Sequence, residues 1–338
     1  MRILIVHHGV LPGAESERQP ITGGALRAWF HGSALQAAGH EVIWLAREQD
    51  QPSGFSSSAD LARKAAAHSP DRVICVQLED APALASLGCP LAVDLYAPRL
   101  LEAPFEGRLR VEAVKVMRAL GCADTFIVSN VRQRWHWLGV LALAGVDVRE
   151  DPTLLVPLVS QPGPRRRVPK ELVLVAGGGS WPWQDPRPAL DRVLAWMDRR
   201  DQGRVVWFGG PPDDVDFEGW SFPKHDRLET PGWVPRAQLL RAYAGATAAL
   251  DWMSPNPERG MALSFRHADY LGCGLPILTG SDTALADVLQ GAGWATDEIE
   301  QALDEMADDA SATQKKGKAA KKLAGTMFST EKCEMPLV

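Results

Sequence analysis

Short unbroken apolar runs alternate with amphipathic stretches through most of the chain. Residues 2–7, 41–46, 72–77, 90–95 and 125–129 are runs of the strand length that a central parallel strand, buried on both faces, requires. Between them, residues 25–35, 59–68, 108–120 and 131–144 carry apolar positions at helical spacing. The pattern then repeats, with strands predicted at 171–176, 204–208, 247–252 and 276–278 and helices at 188–200, 235–244 and 282–289. Residues from 297 onward predict one or two further helices. A strand, a loop, a helix and a strand in succession form a crossover unit, and such crossovers force a parallel sheet. The expected fold is therefore α/β with two Rossmann-like, doubly wound halves facing across a cleft. Proline and glycine density in Gln161-Pro162-Gly163-Pro164 marks the linker, with Arg165-Arg166-Arg167 read as a solvated basic turn. The predicted domains are 1–160, a linker at 161–170, 171–310 and a helical tail at 311–338.

Composition narrows the class. The 338 residues suit two domains at about 100–200 residues each. The chain is 46% hydrophobic and 23% charged, which excludes disordered and fibrous classes. A formal net charge of −6 argues against a nucleic-acid partner held by bulk electrostatics. Five cysteines without Cys-x-x-Cys pairing read as reduced packing residues of a cytoplasmic protein. The apolar run after Met1-Arg2 is too short for a signal peptide, and no segment approaches the roughly 20 apolar residues of a membrane span. Any membrane contact is expected to be peripheral, with the five lysines between Lys315 and Lys322 as either a solvated face or a contact for anionic lipid.

Doubly wound sheets place function at the carboxyl ends of their strands. In the first half those ends hold His7-His8, the Gly23-Gly24 loop, Asp94-Leu95-Tyr96 and Ser129-Asn130. His7-His8 is either a substrate-binding or proton-transferring pair or a hydrogen-bonded turn. Asp94 either opens its carboxylate into the crevice or caps a turn. Gly23-Gly24 fits neither a dinucleotide nor a Walker fingerprint. Arg132, Arg134, Trp135 and Trp137 crowd a helix start, where the tryptophans are expected to pack and one arginine to face the crevice.

In the second half, residues 257–280 read as a loop, a helix, a glycine stop and an apolar strand, with Glu258, Arg259, Arg266, His267 and Asp269 close to the helix start. A helix N-terminus fed by a glycine loop attracts anions through its unpaired N–H groups and its dipole. Gly177-Gly178-Gly179-Ser180, after the strand at 171–176, supplies a second permissive turn, but it lacks the helix entry and the acidic strand end of a nicotinamide site.

Residues 173–186, Val206-Trp207-Phe208-Gly209-Gly210 and the stretch ending Gly274-Leu275-Pro276, together with Val93-Asp94-Leu95-Tyr96-Ala97-Pro98 and Arg132-Gln133-Arg134, resemble the GT-B-fold retaining nucleotide-sugar glycosyltransferases of the "glycosyl transferases group 1" family, in a divergent bacterial branch. The resemblance implies transfer of a sugar from a nucleoside diphosphate sugar to a hydroxyl acceptor such as a glycan, a lipid-linked sugar or a small molecule, with retention, without a metal and without a cofactor. Donor binding is implied for the second domain and acceptor binding for the first. The family's Glu-x7-Glu motif falls on Met261 and Asp269, so the resemblance implies a ribose contact for Asp269 and leaves the first position without a carboxylate. Glu258 is the candidate replacement for the sugar contact. The family's Arg and Lys after the first strand of this domain are missing from Gly178, Gly179, Ser180, Trp181 and Asp185, which leaves Arg266, and Arg259 beside it, to meet the diphosphate, with backbone N–H groups of Gly178–Ser180 and of Met261, Ala262 and Leu263 as an anion nest. Alternatively, Arg266 pairs with Asp269 or Glu258 on the helix surface. Asp94, His8, Gly23 and Gly24 are the acceptor-side candidates. Asp213-Asp214-Val215-Asp216 reads as a solvated turn rather than a metal clamp. The competing readings are a non-catalytic nucleotide-sugar-binding partner subunit and a sugar-nucleotide epimerase of related fold.

Overall fold

The computed structural model describes residues 1–13, 21–47, 54–210 and 221–337. The chain forms two compact units, residues 1–158 with 330–338, and residues 159–329. The first contains β1 (Arg2–His8), α1 (Gly23–Ala37), β2 (Glu41–Arg47), α2 (Ser58–Ala67), β3 (Arg72–Cys75), α3 (Ala81–Leu84), β4 (Leu91–Asp94), α4 (Arg99–Glu102), α5 (Leu109–Leu120), β5 (Thr125–Val128), α6 (Val131–Leu143) and β6 (Thr153–Leu155). The second contains β7 (Val173–Ala176), α7 (Arg187–Arg200), β8 (Arg204–Phe208), β9 (Leu228–Gly232), α8 (Arg236–Ala244), β10 (Ala248–Leu250), α9 (Pro257–Met261), α10 (Phe265–Gly272), β11 (Ile277–Thr279), α11 (Ala284–Val288), β12 (Gly293–Ala295), α12 (Ile299–Asp308) and α13 (Ala310–Met327), after which α14 (Thr330–Glu334) joins the first unit.

Each unit is built on one six-stranded parallel sheet, in the orders β2-β1-β3-β4-β5-β6 and β12-β11-β10-β7-β8-β9. Alternation along the strands explains why both faces are covered. In β1, Leu4 and Val6 enter one core with Val73, Cys75, Phe126 and Val128, whereas Ile3 and Ile5 enter the opposite one with Ile74 and Ile127. Successive side chains point to opposite faces, so an all-apolar strand is stable only between two helical layers. In the second unit Leu174, Ala176, Val205, Trp207 and Leu250 form a core with Leu190, Val193 and Met197 of α7 and Ile299, Leu303 and Met306 of α12.

Three strands lie outside the sequence expectation, β6, β9 and β12, and all three are sheet edges. Edge strands bury less and are kept short and polar, as Leu228-Glu229-Thr230-Pro231-Gly232 is, so they lack the apolar run that marks a central strand. The linker expectation is corrected. Residues 163–167 are bound into the second unit, where the Gly163 N–H donates to Gly272 O at 2.9 Å, the Arg167 N–H donates to Ala244 O at 2.7 Å and Arg166 Nη2 donates to Thr247 O at 2.6 Å, so Arg166 is not part of a solvated turn. The expected tail at 311–338 is divided as well. Helix α13 packs on α10 and α12, while α14 packs on α1.

Trp137 shows how the first core closes. It is fully buried on α6 and its indole N–H donates to Leu95 O at 3.1 Å. Trp135 on the same helix is exposed beside Arg134, which pairs with Asp151. Trp137→Ala removes the ring and leaves that carbonyl without a donor, and should lower the unfolding free energy of the first unit by about 3–5 kcal/mol. Denaturant titration followed by fluorescence measures it, and a loss below about 1 kcal/mol would contradict the packing role.

Candidate functional site

The second unit gathers charge at the carboxyl end of β10. Asp251 follows that strand directly and is 1% exposed. Its Oδ2 accepts from Arg259 Nη2 at 2.7 Å and from His267 Nε2 at 2.8 Å, and Arg266 Nε lies 3.2 Å from its Oδ1. Local structure delivers these partners. Asn256 caps α9 by accepting from the Arg259 N–H at 3.1 Å, and the Ser264 N–H at the start of α10 donates to His267 Nδ1 at 3.2 Å. Because Nδ1 accepts that bond, the proton of a neutral His267 sits on Nε2 and points at Asp251. Burial is the largest influence on the imidazole and pushes it below its ordinary value, against the pull of Asp251. Burial alone would raise the Asp251 carboxyl, but His267, Arg259 and Arg266 outweigh it and hold that group well below the usual carboxylate range.

Arg266 is almost fully occupied. Beyond Asp251 it donates from Nη2 to Gln184 Oε1 at 2.8 Å, from Nη1 to Gly177 O at 3.4 Å and from Nε to Ser264 Oγ at 3.2 Å. The guanidinium thereby ties α10 to the turn after β7, and its expected pairing with Asp269 or Glu258 is replaced by Asp251. Asp269 pairs instead with Arg236, the first residue of α8, and burial pushes its carboxyl up to about 6 despite that cation. Glu258 is 3% exposed, and burial raises its carboxyl against the opposing effect of Arg259 and Arg266. Asp251 Oδ1, which faces Arg266 Nε at 3.2 Å, Glu258 Oε2 and Arg259 Nη1 are buried here without a hydrogen-bond partner, and a hydrogen bond to the Trp183 side chain pulls the Glu258 carboxyl down.

The expected anion nest is only partly available. The Ser180 N–H donates to Gly210 O, and the Gly260 and Ala262 N–H groups donate to Asn256 O and Glu258 O. Ala262 and Leu263 are buried and Met261 is half-buried at the end of α9. Gly178 has a φ of +105°, which disfavours any side chain there, and a Cβ on the neighbouring strand end at Gly209 would meet Gly178 O at 2.2 Å, so the turn passes close against Gly209.

In the first unit, Asp94 does not open into a crevice. Its Oδ2 accepts from Arg27 Nε at 2.7 Å and from His31 Nε2 at 2.8 Å, and its Oδ1 accepts from the Tyr96 N–H at 3.1 Å, with both side chains on α1 fully buried. Arg27 also donates to Val156 O and Pro157 O, and His31 Nδ1 lies 2.5 Å from Glu334 Oε2 of α14. Burial raises the Asp94 carboxyl less than Arg27 and His31 lower it, so it stays ionised below its ordinary value. Burial would lower His31, but Glu334 and Asp94 leave it raised, so this network is an ionic clasp between α1, β4 and α14. Asp94 is a positioning residue by this geometry, a correction to its role as a substrate contact.

His8 has the opposite character. It ends β1 with a quarter-exposed side chain, and its Nε2 lies 2.6 Å from Oδ2 of the buried Asp80. Its neighbour His7 is buried and lowered to about 4, chiefly by burial. Gly23 and Gly24 open α1 behind the Thr22 cap, and a Cβ on Gly24 would stand 2.6 Å from Gln77 Nε2 and 3.0 Å from Tyr96 Oη, so Gly24 serves close packing.

Asp251, Asp80, Gln184 and Arg236 were not anticipated from sequence. Asp251 carried a readable signal, an acid at the end of an apolar run like Asp94. Asp80, Gln184 and Arg236 reach their partners only through the fold. Among the described residues no group of three or more His, Cys, Asp and Glu is placed to hold a metal ion, and Asp213-Asp214-Val215-Asp216 lies outside the described residues. No helix among them is long and apolar enough to cross a membrane.

Residues 187–329, from the first residue of α7 to the end of the second unit, match the family model described as glycosyl transferase-like. No curated protein matches the sequence. Among solved structures, the trehalose-6-phosphate synthase OtsA is similar with a TM-score of 0.70 at 12% identity, covering 100% of this chain and 98% of that one. Sucrose-phosphate synthase from Thermosynechococcus elongatus has a TM-score of 0.69 at 13% identity, over 99% and 97% of the two chains. An alpha-glucosyltransferase in complex with UDP-glucose and DNA containing an abasic site has a TM-score of 0.67 at 11% identity, over 100% and 98%. The fold is GT-B.

Asp251→Asn would leave Arg259 and Arg266 buried without their counter-charge and should cost about 3–5 kcal/mol of stability. The same carboxylate makes stability depend on acid. Its folded value is depressed, so its contribution is present above the unfolded value of about 3.9 and is lost as pH falls toward the lower folded one. Thermal unfolding between pH 7 and pH 3 should show a steeper acid loss in the wild type than in Asp251→Asn, and parallel curves would contradict the assignment.

Proposed function

We propose, from the match of residues 187–329 to the glycosyl transferase-like family model and from the GT-B fold, that the chain is a glycosyltransferase whose second unit holds a nucleoside diphosphate sugar between the turn at residues 177–186 and the segment at residues 256–269, for transfer to a hydroxyl acceptor bound by the first unit. The observation that carries this reading is the pair of buried, unpartnered atoms on adjacent residues, Glu258 Oε2 and Arg259 Nη1. Buried polar atoms are almost always hydrogen-bonded, and one left open costs about 1–3 kcal/mol, so a polar ligand is the natural partner. A carboxylate oxygen accepts from a sugar hydroxyl and a guanidinium N–H donates to a phosphate oxygen. Arg259 thus replaces Arg266 as the principal diphosphate contact, since Asp251 and Gln184 occupy Arg266. A cation fixed there also favours the charge that builds on the departing diphosphate. Asp269 remains the ribose candidate through the oxygen that Arg236 leaves open. Transfer without a metal or a cofactor, and with retention, comes with this reading from the family resemblance.

His8 supports a second reading of the stereochemistry alone. An imidazole held by a buried carboxylate at a strand end has the arrangement of a general base, with Nδ1 left to take a proton from an acceptor hydroxyl as it attacks the anomeric carbon. Direct displacement of that kind inverts the anomeric centre.

Thermal unfolding against a panel of nucleoside diphosphate sugars should reveal a donor by a raised midpoint, and a panel without any shift would reject the donor site. With that donor's nucleotide, Arg259→Ala should weaken the nucleoside diphosphate about 10–100-fold by calorimetry, the loss of a charged hydrogen bond of about 1.5–3 kcal/mol, while leaving the nucleoside unchanged. Equal losses would remove Arg259 from the phosphate. The anomeric configuration of the product, read by NMR, separates the two stereochemical readings. Inversion together with abolished transfer in His8→Ala supports the base, and a retained configuration rejects it.

A further inference from the structure

Five of the eleven exposed large apolar side chains among the described residues lie within thirteen positions, Phe105, Leu109, Val111, Val114 and Met117, with exposures from 37% to 59%. The last four are on α5. Val111, Val114 and Met117 follow one another at i, i+3 and i+6 and so run along one side of the helix. Arg110, Lys115 and Arg118 are exposed between and beside them, and Arg108 precedes the helix. The opposite side buries Glu112, Val116, Ala119 and Leu120, so the exposed stripe is held outward by a fixed core. The local acids add little negative charge outward. Glu106 pairs with Arg108, and Glu112 is 3% exposed between Arg99 and Lys115.

We propose that the outer side of α5 is a docking surface for an anionic lipid bilayer. Charge complementarity selects this partner. The chain carries a net charge of −6, yet four cations surround this apolar stripe and the two nearby carboxylates are both paired. A protein interface excludes lysine from its apolar centre, whereas here the cations interleave with the apolar tips on a convex helix. That pattern suits the headgroup boundary, where apolar tips enter the acyl edge and arginine or lysine stems extend up to lipid phosphates. The lysine run of α13 does not offer such a surface. Lys316 lies over Trp294 near Glu305, Lys321 donates to Gly272 O, and Ala320, Leu323 and Ala324 of that helix are buried.

Cosedimentation of the full chain with phosphatidylglycerol–phosphatidylcholine vesicles and with pure phosphatidylcholine vesicles tests the surface. The wild type should bind the anionic vesicles at least about tenfold better, with binding reduced at high salt. The triple variants V111S/V114S/M117S and R110Q/K115Q/R118Q should each lose about tenfold or more of that binding, while K315Q/K318Q/K322Q keeps it. Unchanged melting and nucleotide binding in the α5 variants would show that the donor site, which is a separate proposal, is intact. Binding to neither vesicle, equal binding to both, full binding by either α5 variant, or a wild-type oligomer that the apolar variant dissociates would overturn the proposal. The last of these outcomes assigns the surface to a second copy of the chain.

Discussion

Asp251 is the group on which the rest of the charged cluster of the second unit depends. A carboxylate taken out of water at the end of a central strand is tolerable only if cations and donors reach it. Three residues do so from two short helices, Arg259 from α9 and Arg266 and His267 from α10. Neither helix is long enough to be stable by itself, so the buried charge and the packing around it set where both begin. Through Arg266 the same carboxylate fixes the glycine turn after β7, and through Arg259 it leaves one guanidinium nitrogen open. The strand end, the turn and the open cation are therefore one construction.

The first unit repeats the device with a different outcome. Asp94 also ends a central strand and also collects a buried arginine and a buried histidine, here both from α1. There the two backbone carbonyls of residues 156–157 and the Glu334 carboxylate complete the set, and each nitrogen of Arg27 and each oxygen of Asp94 has a partner within the protein. One acid holds the C-terminal segment in place, with Glu334 Oε1 the unpartnered atom of its network; the other lies beside Glu258 Oε2 and Arg259 Nη1. The difference lies in how many partners the chain returns to each strand end, and not in residue type.

Much of this fold is legible in sequence because central parallel strands and amphipathic helices have distinct apolar periods. Ile3-Leu4-Ile5-Val6 feeds two cores at once and has no other stable environment. The edge strands β6, β9 and β12 were not legible because an edge does not require an apolar run. Residues 257–280 were legible as a charged helix entry, but the partners within them were not. Helical spacing suggests Arg266 with Asp269, separated by three residues, whereas the observed partners Asp251, Gln184 and Arg236 lie 15, 82 and 33 residues from the groups they bind. Such pairings are set by which loops the sheet order brings together, which residue spacing does not encode. The partners of Asp94, left open between a crevice-facing carboxylate and a turn cap, were hidden for the same reason, since Arg27 precedes it by 67 residues.

The absence, after β7, of the basic pair that the family resemblance leads one to expect becomes intelligible in these terms. A Cβ on Gly177 would meet Tyr243 Oη at 2.2 Å and Gly178 holds a φ of +105°, so both positions disfavour a side chain, and Arg266 reaches the turn from α10 instead. An arginine arriving from another element needs an anchor to hold its planar fork in register, and Asp251 with Gln184 provides it. Anchoring consumes donors, so under the proposed function a single arginine could not both brace the turn and bind a diphosphate at full strength. Two arginines on one carboxylate divide the tasks. Arg266 is almost fully occupied within the protein, whereas Arg259 keeps Nη1 unpartnered.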